Sequence, residues 1–270
     1  MFASLTSAIA DRAARVPVLR PLMRRMHWRS FCAASGPAVR RFHGIYADFA
    51  SAERAIPADR LVGYDNEPSA LRLAGERFRI YPSDYPVMFW LQKLLPASQL
   101  LFDLGGHVGI SYYGYRNYLD YPAALRWLVY DLPAITAMGQ AIAKQEATPA
   151  LSFTNSLEAL PGADILLAAG SLQFIADPFA LLSPVRPLPR HVLLNKTPLH
   201  DGPAAVTLHN LGSALCAYHI FNRADFISGF EALGYRLADE WLSPDLQCEI
   251  RLFPKQSIRA YTGCYFIRRD

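Results

Sequence analysis

From residue 99 onward the chain alternates short apolar runs with helical patterns, and that alternation limits the folds open to it. "QLLFDL" (99–104) is an apolar run closed by glycines and reads as a strand. "ISYYGYRNYL" (110–119) reads as a helix, "LRWLVYDL" (125–132) as a strand, and "PAITAMGQAIAKQEA" (133–147) as a helix. Pro133 opens that helix in its first turn, where a missing N–H costs nothing. "LSFTN" (151–155), "ADILLAAGSL" (163–172) and "RHVLLNK" (190–196) continue the strands, and "PFALLSPV" (178–185) is a short helix. "ADFISGFEALGYRL" (224–237) is expected to be helical with Gly234 near its end, and "CEIRLF" (248–253) with "YTGCYFIRR" (261–269) to form a closing antiparallel pair. Repeated β–α units require a mostly parallel sheet with helices on both faces and right-handed crossovers. Ligands in such sheets sit at the carboxyl ends of the strands, near the point where strand order reverses.

The 270 residues suffice for a full core, and 52% apolar with 19% charged residues is a globular composition. Charge is uneven: residues 1–45 carry eight arginines and one acid, a net +7, which leaves −3 for the rest. In "SLTSAIADRAARVPVLRPLMRRMHWRSF" apolar residues and arginines mix at near-helical spacing, broken by Pro17 and Pro21. Two readings stand open: a helical extension packed on the domain or on a second copy of the chain, or a basic amphipathic contact with an anionic membrane surface. The arginines have no nucleic-acid-binding motif around them, which argues against that partner. No apolar run approaches the roughly 20 residues that span a bilayer, and arginines interrupt the N-terminus before a secretion signal develops. A cytoplasmic protein is expected, peripheral at the inner face of the membrane on the second reading. Cys32, Cys216, Cys248 and Cys264 are widely spaced and read as free thiols.

The glycine turn in "LLFDLGGHVGISYYGY" (100–115) is the chemically informative stretch. A dinucleotide fingerprint needs a glycine where Leu104 stands, and Asp103 at the strand end would repel a pyrophosphate. No Gly-Lys-Ser/Thr follows for a P-loop, and no second glycine completes a nucleophile elbow. A ligand with a cationic end fits better, and S-adenosylmethionine, with an ammonium, a sulfonium and a carboxylate, is one. Asp103 would attract the cation directly or through water, and Gly105 and Gly106 would let the backbone approach closely. Asp131, at the end of the next strand, stands where it could accept both hydroxyls of a ribose. His107, inside the turn, is expected to shape this pocket.

These residues resemble class I S-adenosylmethionine-dependent methyltransferases. "DLGGHVG" is similar to their first motif, "VYDLPAI" to the segment after the second strand in small-molecule O-methyltransferases, and "ADILLAAGSLQFIADP" to the fourth-strand motif. "FHGIYADFASAERA", "GYDN", "LLNKTPL" and "YHIFNRADFISGFEALGYRLADEW" are similar to a family of bacterial methyltransferases, several of them encoded among surface-polysaccharide genes. The likeness runs from about residue 42 to 242, plus the closing strands. It implies a Rossmann-like α/β fold: a mostly parallel seven-stranded sheet with an antiparallel closing strand, spanning 99–270, behind an N-terminal helical extension or cap over 1–98. It places S-adenosylmethionine on Asp103, Gly105, Gly106, Gly109, Asp131 and Leu132, with Asn155 near the adenine and Ser171 and Gln173 near the methyl donor.

Where related O-methyltransferases often carry a catalytic histidine, this chain has Gln173, which cannot act as a base near neutral pH. The proton acceptor is therefore sought in "LLNKTPLHDGPAAVTLHNLGSALCAYHIFNR" (193–223), a stretch read as an irregular lid over the strand ends. His200 ranks first because Asp201 follows it, then His209 and His219. No set of acids and histidines has metal-ligand spacing, so no metal is expected. The leading expectation is O-methylation of a hydroxyl on a sugar, glycan precursor or other small molecule. An inactive binding or scaffold protein on the same fold, and an N- or C-methyltransferase, are the alternatives.

Overall fold

The apolar run at 100–104 becomes the middle of a seven-stranded sheet. The computed structural model describes residues 20–36 and 41–269. The N-terminal part holds α1 (Arg20–Ala33), β1 (Arg41–Tyr46), α2 (Phe49–Arg54), α3 (Glu67–Ala74) and α4 (Tyr85–Leu94). Next come β2 (Leu100–Leu104), α5 (Ile110–Tyr115), β3 (Arg126–Tyr130), α6 (Pro133–Gln145), β4 (Leu151–Thr154), β5 (Ile165–Ala169), α7 (Pro178–Leu182) and β6 (His191–Thr197). The chain ends with β7 (Leu199–His200), β8 (Ala205–Asn210), β9 (Leu215–Asn222), α8 (Arg223–Ala232), β10 (Tyr235–Ser243) and β11 (Tyr261–Arg268).

The main sheet has the order β4-β3-β2-β5-β6-β11-β10. Neighbours from β4 to β6 are parallel, whereas β11 runs antiparallel to both β6 and β10. The chain builds outward from β2 through β3 to β4, then returns to place β5 on the other side of β2. The strand order reverses there, so the carboxyl ends of β2, β3 and β5 frame a crevice. β2 is buried along its whole length: Leu100, Phe102 and Leu104 pack with Leu166 and Leu194 on one face of the sheet, and Leu101 with Trp127 and Leu167 on the other. Each such side chain contributes roughly 1.5–3 kcal/mol by leaving water. α6 presses so closely on β4 that a Cβ at Gly139 would lie 2.3 Å from the Phe153 ring.

A second sheet, ordered β1-β8-β9-β7, covers the crevice. Its strands alternate cleanly. Val206, Leu208, Leu215 and Ala217 face outward onto Phe31 of α1 and Ala52 of α2. Phe42, His209 and Tyr218 face inward, toward the crevice.

Several expectations need correction. The stretch after β6 is not an irregular lid but β7, β8 and β9, whose partner β1 lies some 160 residues earlier in the chain. The helix expected over 224–237 stops at Ala232. Gly234, at φ +95°, turns the chain directly into β10. β10, not residues 248–253, is the antiparallel partner of β11; among the described residues the latter stretch makes the isolated bridges Phe42–Ile250 and Cys248–Ile258. The N-terminal part contributes a strand as well as helices. Pro21 sits in the first turn of α1 rather than breaking it, and the break expected at Pro17 lies outside the described residues. The four cysteines are free thiols; Cys32 is half-buried and the others are buried.

Candidate functional site

A cleft of about 520 Å³ opens at the carboxyl ends of β2, β3 and β5, within the size range of small-molecule sites. Its floor is the glycine turn. Gly105 has φ +72°, and a Cβ there would stand 2.3 Å from Cβ of Ser171. A Cβ on Gly106 would stand 2.4 Å from the carboxyl group of Asp103. Only glycine fits either position, so the turn presents bare backbone to the cleft.

Asp103 itself does not face the cleft. It is 0% exposed beneath Gly106, and Trp127 Nε1–H donates to its Oδ2 at 3.0 Å. Burial pushes its carboxyl up to about 7, against the Trp127 hydrogen bond and helped by the charge of Asp131. The expected direct grip on a cation is therefore corrected: the register of β2 between β3 and β5 points this side chain into the sheet's packing. Gly109, at φ +87°, begins α5 and abuts Leu151; it shapes the turn without lining the cleft.

Asp131 does line the cleft. Its Oδ2 accepts the backbone N–H of His107 and its Oδ1 that of Leu132, each at 2.8 Å. Each oxygen keeps a lone pair for a ligand hydroxyl. Burial raises this carboxyl to about 6, against the two backbone hydrogen bonds. His107, at φ +55°, lines the cleft as expected; its Nε2 lies 3.2 Å from the Ser69 carbonyl, and burial lowers its pKa to about 4. The ring is thus neutral, Nε2 carries the proton, and the buried Nδ1 has no partner among the described residues. Leu132 forms an apolar part of the same wall. Asn155 does not line the cleft. Its Nδ2 donates to the Asp131 carbonyl at 2.7 Å and to Thr136 Oγ1 at 2.9 Å, bracing the β3 end from behind.

Past β5, Ser171 and Gln173 both line the cleft. Ser171 Oγ donates to the Leu104 carbonyl and joins the ends of β2 and β5. Gln173 is buried, its Nε2 donates to the Lys196 carbonyl at 3.4 Å, and its Oε1 has no partner among the described residues. A buried acceptor in that state costs about 1–3 kcal/mol, which a ligand donor would recover.

Of the three ranked histidines, His209 alone reaches the cleft. Its ring stacks on Phe42 (centroids 4.4 Å) and near Phe174 (5.9 Å), with Tyr218 edge-on at 5.1 Å. His200 Nε2 turns back to the Pro203 carbonyl at 2.9 Å, and Asp201 is exposed beside it. His219 Nε2 meets the Ala176 carbonyl at 2.7 Å, and burial lowers its pKa. Both histidines and Asp201 stand off the cleft, which corrects their ranking: alternation on β8 and β9 decides which side chains face inward.

Nothing local in the chain marks the cleft's charged wall. Lys196, at φ +56° on the end of β6, pairs with Asp84 at 2.8 Å. Tyr115 Oη–H also donates to Asp84 Oδ1, at 3.1 Å, and the Tyr81 N–H to its Oδ2, at 2.9 Å. Arg72 of α3 lines the cleft, and its buried Nε has no hydrogen-bond partner among the described residues. Among the described residues no ion pair satisfies it. A cation in that position suits a carboxylate or phosphate.

No protein-family model and no curated protein matches the chain. Solved structures do. A methyltransferase in complex with the Haloferax volcanii Trm112 methyltransferase activator matches with a TM-score of 0.52 and 17% identity, over 76% of this chain and 97% of that one. The chain has the class I methyltransferase fold. The Burkholderia thailandensis 1,6-didemethyltoxoflavin N1-methyltransferase, with 1,6-didemethyltoxoflavin and S-adenosylhomocysteine bound, has a TM-score of 0.47 and 15% identity over 80% of this chain and 98% of that one. Magnesium protoporphyrin IX methyltransferase from Synechocystis PCC 6803, with S-adenosylhomocysteine bound, has a TM-score of 0.48 and 16% identity over 77% and 90%. At such identities the likeness extends to the fold alone.

Proposed function

We propose that this chain is an S-adenosylmethionine-dependent methyltransferase that methylates a hydroxyl on a sugar, glycan precursor or other small molecule. The supporting observation is Asp131, which joins the end of β3 to the glycine turn and keeps a lone pair on each oxygen beside the turn's exposed backbone. The residues fit the cofactor. Asp131 holds the ribose hydroxyls, Gly105 and Gly106 admit the amino-acid tail, and Arg72 meets its carboxylate. Gln173 Oε1 accepts a hydrogen bond from the ammonium or from the acceptor hydroxyl. When bound, the cofactor supplies an electrophilic methyl group.

The acceptor lies under the second sheet, against Phe174, Tyr218 and the stacked ring of His209. Those apolar faces keep water from the reacting atoms and orient a ring-shaped acceptor. His209, and not His200, takes the hydroxyl proton, since it is the ranked base that the cleft contains.

The test incubates the protein with labelled S-adenosylmethionine and a panel of sugars, nucleotide sugars and phenols, and reads S-adenosylhomocysteine release. With a productive acceptor, His209→Gln lowers kcat by about 10²–10⁴, while His200→Gln and His219→Gln stay within a few-fold. No detectable affinity for S-adenosylmethionine would favour the scaffold reading. Turnover indifferent to His209 would move the acceptor atom to nitrogen or carbon.

A further inference from the structure

The outer face of α1 has the pattern of a membrane-surface contact, and it is independent of the cleft's chemistry. The inner face of this helix is fully engaged. Trp28 and Phe31 pack 5.0 and 5.3 Å from the His43 ring of β1, and Asn210 Nδ2 donates to the carbonyls of Phe31 (2.6 Å) and Ala34 (3.0 Å). These bonds hold the helix on the sheet that covers the cleft.

The opposite face carries Leu22 and Met26, one turn apart and 57% and 55% exposed. Arg25 and Arg29 run alongside them, also one turn apart. No acid occurs anywhere in the helix. Among the described residues neither arginine forms an ion pair. The segment before it adds Arg12 and Arg15 to the same basic, apolar-studded sequence. Among the described residues no helix is long and apolar enough to cross a membrane.

We propose that α1 docks this chain on an anionic phospholipid surface. Leu22 and Met26 enter the boundary between headgroups and acyl chains, and Arg25 and Arg29 sit among the phosphates. The two exposed apolar residues within the arginine field favour a lipid surface over nucleic acid, whose backbone offers them nothing.

The experiment is co-sedimentation of the full chain with vesicles of phosphatidylcholine, alone or containing about a third phosphatidylglycerol. Retention is expected on the anionic vesicles only, falling steeply when ionic strength rises to about 0.5 M. Each arginine near the surface is worth about fivefold in partitioning, so replacing Arg25 and Arg29 by Gln together weakens retention roughly 25-fold. The pair Leu22→Ser and Met26→Ser weakens it at least about tenfold. Thermal melting and S-adenosylhomocysteine binding stay unchanged in both variants, because the altered side chains face solvent. Equal retention on neutral vesicles, no retention on anionic ones, or retention indifferent to these variants would overturn the proposal. So would a dimer broken by Leu22→Ser and Met26→Ser without vesicle binding, or duplex DNA binding that anionic vesicles do not displace.

Discussion

The backbone N–H of His107 donates to Asp131 Oδ2 at 2.8 Å, so the acid that ends β3 also fastens the glycine turn that follows β2. Asp131→Ala removes this tie together with the acceptors for a ribose. Hydrogen bonds to charged groups are worth about 1.5–3 kcal/mol, so the Kd for S-adenosylhomocysteine should rise roughly 10- to 100-fold in calorimetric titration. An unchanged Kd would remove Asp131 from the site.

Arg72 is assigned to a carboxylate, which gives a test that needs no acceptor. S-adenosylhomocysteine has the amino-acid tail, and methylthioadenosine lacks it. Arg72→Met should weaken the first by about tenfold or more and leave the second nearly unchanged. Equal losses for both ligands would mean that Arg72 acts on the fold or on the adenosine.

The buried carboxyl of Asp103 is raised from its ordinary value to about 7. A raised carboxyl favours the folded state while it is protonated. That contribution is complete below the unfolded pKa and is lost as pH rises through about 7. His43 and His107, both lowered to about 4, act in the opposite sense, and their contribution is complete only about a pH unit above the ordinary histidine value of 6.5. Between pH 6.5 and 8 the two effects largely offset each other in the whole protein, so Asp103 is read by difference. In urea unfolding, the stability of the unaltered chain relative to Asp103→Asn, which keeps an acceptor for Trp127, should fall by roughly 1 kcal/mol across that window. The variant should be roughly 2 kcal/mol more stable at pH 8.

The close approach at Gly106 has a mechanical consequence. Gly106→Ala drives a methyl group to 2.4 Å from the Asp103 carboxyl, which should cost about 1–3 kcal/mol and lower Tm. Gly75→Ala, with nothing within 4 Å of the new carbon, should leave Tm unchanged.

Local pattern carried much of the architecture. β2, β3, β5 and β6 are short apolar runs between turn signals, and their periodicity, together with Asp131 at a strand end, can be read without knowing what they touch. β8 and β9 could not be read that way, because β1, the strand that gives β8 its outer partner, lies far back in the chain. β10 carries Asp239 and Glu240, residues uncommon in strands, and it follows so directly on α8 that the helical pattern masked its start. The same nonlocality misled the choice of base. Asp201 beside His200 is adjacency in sequence, whereas facing the cleft depends on the register of β8 against β1 and β9, which sends His209 inward. Asp103 was legible as an acid at a strand end, but not as one sealed under Gly106.

The most direct measurement is a titration of S-adenosylhomocysteine into the full chain, followed by diffraction from the complex. The account expects one ligand per chain at micromolar Kd, its ribose on Asp131 and its carboxylate on Arg72. No binding, or a ligand held with Asp131 and Arg72 both out of reach, would contradict it.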